Sequence, residues 1–171
     1  MNVNLWIPAL AVAGVAAATD IVWRRIPNWL SLPALVAGVI ASAAVDGVSG
    51  LERSLGGFVL AVLIVGILCW LRSMGMGDLK LFAAVGAWIG PDALMFAFVI
   101  TGMAGGIMAV AYALWKGRLS ATLDEAALLL TPAGLQRPRN GKAYTVTDRR
   151  ALTIPYAPAI AIGVVISFFA N

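Results

Sequence analysis

Apolar residues recur along this chain in long runs, broken at intervals by charge, proline and glycine. Several runs approach the ~20 residues that cross a bilayer as a helix. The pattern predicts an all-α, polytopic membrane fold of about six helices. Helix 1 is expected from about Leu5 to Val22. Ile26-Pro27-Asn28 opens helix 2, because a proline in the first turn lacks only an N–H that has no partner there. That helix continues to about Val45, and Pro33 lies deeper, where a proline bends a helix. Asp46–Arg53 is expected as a polar loop and helix 3 from about Leu55 to Leu71.

Helix 4 is expected from Asp78 or Leu79 to Gly90-Pro91. Leu79–Ile89 would span only about 16 Å at ~1.5 Å per residue, against a hydrocarbon core of ~30 Å. Such a helix is either sheltered by protein or preceded by a loop that dips into the membrane. Helix 5 is expected from about Ala93 to Trp115, with Gly102, Gly105 and Gly106 suited to close helix approach. Helix 6 is expected from about Ala151 to Phe169. The long connection Lys116–Arg150 is expected to carry an interfacial amphipathic helix over Leu119–Leu130. No separate soluble domain is expected, and residues 1–171 read as one integral membrane domain.

Composition sharpens this. The chain is 61% hydrophobic with a mean hydropathy of +0.93, against about 45–50% apolar for soluble domains. The ~10-residue alternating segments of a transmembrane barrel are absent. No basic residue precedes the first apolar run, so it does not read as a secretory signal peptide. The net charge of +4 points to cytoplasmic loops rather than nucleic acid. Eleven of the twelve Lys and Arg residues fall in the connections 1–2, 3–4 and 5–6, with Lys80 counted at its helix entrance and only Arg53 opposite. The positive-inside rule then places those connections in the cytoplasm and both termini outside.

The chain has no histidine and one cysteine. This excludes Ser-His hydrolysis, HExxH zinc sites and an internal disulfide. No metal and no cofactor is expected. Cys69 reads as a small apolar residue in mid-helix. Acid–base chemistry falls to Asp, Glu, Lys or Tyr.

Two aspartates stand out. Asp20 ends helix 1, and Asp78 follows Gly75 and Gly77 in Met74-Gly75-Met76-Gly77-Asp78. Carboxylates at membrane depth are costly and are functional candidates by default. Each also has a plain explanation: Asp78 as a helix cap, and Asp20 as a boundary residue near Arg24. The charge bias puts both on one side. Two close carboxylates share a proton, so that one takes a proton from water while the other donates to a peptide carbonyl. Glycines 75 and 77 would let a substrate backbone approach and let the chain bend before Asp78. Asp46, Glu52, Asp92, Asp124, Glu125 and Asp148 read as loop or turn residues.

These segments resemble the type IV prepilin peptidase family, intramembrane aspartyl proteases with a GxGD motif. The match lies in Asp20 with Arg24-Arg25-Ile26-Pro27-Asn28, in Gly75-Met76-Gly77-Asp78-Leu79-Lys80-Leu81, and in Thr153-Ile154-Pro155-Tyr156-Ala157-Pro158 running to Gly163. The resemblance implies catalysis by Asp20 and Asp78. Its expected substrate is a prepilin precursor, cleaved after a short basic leader at the cytoplasmic face of a bacterial inner membrane. Gly75, Gly77, Pro155 and Tyr156 are the expected substrate-binding residues. The chain lacks the cysteine-bearing insertion of the long bifunctional members, so N-methylation is not implied. It is similar to the compact CpaA- or TadV-like branch that serves Flp pili, although Ala157 stands where that segment often has glycine. The expected partners are the prepilin and the lipid bilayer. The rival readings are a small proton- or cation-coupled transporter and an assembly subunit of a secretion complex.

Overall fold

The hydrophobic runs form five helices in the computed structural model, which describes residues 3–71, 74–115 and 156–170. They are α1 (Val3–Trp23), α2 (Asn28–Trp70), α3 (Met76–Ile89), α4 (Pro91–Trp115) and α5 (Ala157–Ala170). The expected loop Lys116–Arg150, its interfacial helix, Pro155 and the expected start of helix 6 at Ala151 lie outside the described residues. Residues 1–105 with 155–171 form one compact unit, and residues 106–154 form a second. The features below all belong to the first.

The 43-residue α2 is two arms rather than one rod. Its non-helical residue is Gly47, at φ 64° and ψ −138°, a backbone region that glycine enters without the Cβ clash of other residues. The polar stretch Asp46–Arg53, expected as a loop, is helical apart from this one residue. Three local contacts allow so tight a reversal. Arg53 pairs with Asp46 at 2.7 Å, the Ser49 hydroxyl donates to the Asp46 carbonyl at 2.8 Å, and Gly50 lies against the Ser42 carbonyl where a Cβ would not fit. Pro33 does not break the helix.

Short and central, α3 resolves the question of its length. Its 14 residues reach about 21 Å at ~1.5 Å per residue, and Leu81 to Ile89 are all buried. The helix is sheltered by protein, packed against α1 and α2. Lipid gives helices no hydrophobic reason to associate, so close packing and interhelical hydrogen bonds must hold them. Both are present. The Trp88 indole donates to the Ala34 carbonyl at 2.8 Å and the Ser42 hydroxyl to the Ala87 carbonyl at 3.2 Å. Gly57 of the second arm meets Gly86 backbone to backbone. Phe82 and Phe98 join α3 to α4 edge-on, with centroids 5.6 Å apart.

α5 closes the bundle. The Ser167 hydroxyl donates to the Ala93 carbonyl of α4 at 2.9 Å, and Trp6 of α1 packs on Phe168 at 5.6 Å. Large apolar side chains such as Ile40, Leu63, Ile67 and Phe169 face outward, as a lipid-facing surface requires. Among the described residues, three helices are long and apolar enough to cross a membrane. The fold is an all-α polytopic membrane protein.

Candidate active site

One end of the bundle carries both candidate aspartates. α1 ends there because Arg24 takes a left-handed conformation, φ 51°, while its amide still closes the last turn on the Asp20 carbonyl at 2.8 Å. Asp20 is thereby the last-turn carboxylate and is buried, at 8% exposure. Its Oδ2 accepts the backbone amide of Ala157 at 3.1 Å. That amide opens α5, so Asp20 caps a helix distant in sequence.

Asp78 enters from α3. Gly75 is the residue before the helix, and its amide donates to Asp78 Oδ2 at 3.3 Å. The chain turns at Gly75 with φ −82° and ψ 149°, which any residue adopts. The bend before Asp78 therefore needs no glycine. Space is the sharper constraint at this position: a Cβ on Gly75 would stand 3.3 Å from Asp78 Oδ2. Ile26, in the α1–α2 connection, lies over Gly77. This contact brings the end of α1, which carries Asp20, against the head of α3, which carries Asp78.

Three further groups complete the end. Lys80 donates to the Asn28 side chain at 2.9 Å, so it ties the heads of α2 and α3 together. Cys69, expected in mid-helix, is next to the last residue of α2, and its thiol donates to the Gly75 carbonyl at 3.4 Å. Tyr156 precedes α5. Its ring lies against Gly105 of α4, and the residue after it, Ala157, bonds Asp20. The structure thus brings together Asp20, Asp78, Gly75, Gly77 and Tyr156, whereas Pro155 lies outside the described residues.

The same end carries the exposed Trp23, Trp29 and Trp70, residues suited to the headgroup level of a bilayer. Arg53, the basic residue on the other side of the charge bias, lies at the opposite end, its stem over Gly90. The sequence gives no signal for the Ala157 amide, since a backbone N–H is common to all residues but proline. The Asn28–Lys80 and Cys69–Gly75 contacts depend on the α2 reversal at Gly47, which shortens what reads as a loop.

A family model described as the type IV leader peptidase family matches residues 7–110. The chain belongs to that family. Both Asp20 and Asp78 fall within the match, and Tyr156 and Ala157 fall beyond it. Among relatives of this chain is a prepilin leader peptidase/N-methyltransferase of Burkholderia pseudomallei. It is 33% identical over 124 residues, which cover 65% of this chain and 40% of the relative. A protein of the same description from Dickeya chrysanthemi is 32% identical over 117 residues, covering 59% and 41%. A type 4 prepilin-like proteins leader peptide-processing enzyme of Escherichia coli is 30% identical over 102 residues, covering 56% and 38%. The matched part thus spans about two fifths of each relative's length. No solved structure matches the chain.

Proposed function

We propose that this protein is an aspartic endopeptidase that removes the leader peptide from type IV prepilins. The observation that carries this is that Asp20, in the last turn of α1, and Asp78, in the first turn of α3, lie at one end of the bundle, where Ile26 just after α1 meets Gly77. Two carboxylates so placed share one proton, because both cannot ionise cheaply. The ionised one takes a proton from water as the water oxygen attacks the scissile carbonyl carbon. The protonated one gives its proton to the carbonyl oxygen, leaving a neutral gem-diol. In the second half the newly ionised carboxylate takes back a proton from one hydroxyl. The other carboxyl protonates the leaving nitrogen as the C–N bond breaks. The products are a free acid and an amine, and both aspartates return to their starting states.

The site's position supports peptidase over transporter. A transport site is expected near the midplane, whereas these acids lie at the end that carries Trp23, Trp29 and Trp70. That end is the cytoplasmic face of a bacterial inner membrane by the charge bias of the connections. The substrate is a prepilin, a single apolar helix with a basic leader, already embedded in lipid and arriving laterally. Its backbone must unwind to expose the scissile bond, and the exposed backbone at Gly75 receives that segment, with Gly77, Pro155 and Tyr156 as its further binding residues. The short connection between α1 and α2, without a cysteine-bearing insertion, supports a Flp-type pilin as the substrate. Co-expression with leader-bearing prepilins tests the proposal: the leader should be removed by the parental chain and retained with Asp20→Asn or Asp78→Asn.

A further inference from the structure

The proton-sharing scheme leaves open which aspartate holds the proton. Resting on the aspartic peptidase reading, we infer that the Ala157 backbone amide is a positioning group that keeps Asp20 ionised. Asp20 is then the carboxylate that takes the proton from water, and Asp78 the one that protonates the peptide carbonyl.

Three observations carry this. First, the 3.1 Å bond joins Asp20 Oδ2 to the first amide of α5. Ala157 is fully buried and Asp20 nearly so. A charge-assisted bond gains strength where water is excluded. Second, a helix N-terminus carries a positive partial charge that favours an anion in contact with it. Asp20 reaches that charge from another helix, with its main chain fixed by the last turn of α1. Third, Asp78 has the weaker hold on its charge. Its amide partner is Gly75, at 3.3 Å, outside α3 and exposed. Asp20 Oδ1 accepts no hydrogen bond from the described residues, so that oxygen faces the task of taking the proton.

The position of Ala157 offers a clean test. Replacing it with lactic acid by nonsense suppression turns the amide into an ester, which deletes the N–H and keeps the shape. The control is the same replacement at Ala159, whose amide donates to the Tyr156 carbonyl at 3.0 Å and not to Asp20. Each full-length purified chain is assayed for kcat against pH on a leader-bearing prepilin, with Asp20→Asn alongside. The amide donates a hydrogen bond to the charged form of Asp20, so its loss removes a contact that favours that form. Activity that needs ionised Asp20 is then lost sooner as the pH falls. The acidic limb should move up by about one to two pH units at Ala157 and stay in place at Ala159. The other charged or titratable groups at this end are Asp78 and Lys80 of α3, Cys69 of α2, Tyr156 before α5, and Arg24 and Arg25 after α1. All are unchanged in both esters.

Ala157→Pro deletes the same donor at a first-turn position suited to proline, and it should shift the limb in the same direction if the ester fails to accumulate. A parental limb in a folded Ala157 variant, or equal shifts at Ala157 and Ala159, overturns the positioning role while an inactive Asp20→Asn leaves the peptidase reading standing. Cleavage by Asp20→Asn overturns the peptidase reading itself.

Discussion

Gly75 donates its amide to the Asp78 carboxylate at 3.3 Å, and a Cβ on Gly75 would stand 3.3 Å from the same oxygen. The glycine both holds the acid and leaves its approach open. Gly77 differs. A Cβ there would meet Ile26 at 3.5 Å or more, an ordinary contact. Gly75→Val should therefore lower cleavage tenfold or more, roughly the effect of misplacing a reacting group, with little change in melting temperature. Gly77→Ala should retain most activity. Rates on a purified prepilin, with thermal melts in the same detergent, check both. A parental rate for Gly75→Val would remove that glycine from the site.

The contact of Gly57 with Gly86 concerns stability. A side chain on either falls on the other's backbone carbonyl, which cannot move without shifting a helix. Gly57→Val should destabilise by about 3 kcal/mol, the upper range for overpacking, and leave any correctly folded fraction active. Denaturant titration in micelles measures this. An unchanged midpoint would show that the arms of α2 and α3 are not so closely packed.

No metal should be required. The chain has no histidine and one cysteine, and in the proposed mechanism the two carboxylates supply the acid and the base. Cleavage should be unaffected by chelator treatment. Loss with chelator and recovery with zinc would contradict the mechanism.

Much of the arrangement is legible in the sequence because lipid imposes simple rules. Run lengths predict the helices, and the basic connections predict that Asp20 and Asp78 share an end. The shortness of the Leu79–Ile89 run already requires shelter or a re-entrant loop, and the burial of Leu81 to Ile89 decides for shelter. What is not legible depends on backbone geometry. Asp46–Arg53 has loop composition, yet one glycine at positive φ makes the turn and the polar side chains close it. Gly75-Met76-Gly77 looks like a flexible hinge, but Gly75 has an ordinary φ, and its importance is the missing side chain. The hydrogen bond from Ala157 to Asp20 crosses 137 positions and is made by a group with no sequence signature.

The central claim is that Asp20 and Asp78 act as one unit. Members of such a unit are strongly non-additive, since removing either stops the same reaction. The direct measurement is single-turnover cleavage of a leader-bearing prepilin by purified Asp20→Asn, Asp78→Asn and the double variant, each shown to be folded. The account predicts that both single variants lose activity by about 10³-fold or more, in the range for triad members, and that the double variant is no worse than either. Substantial cleavage by either single variant, or losses that multiply in the double, would contradict it.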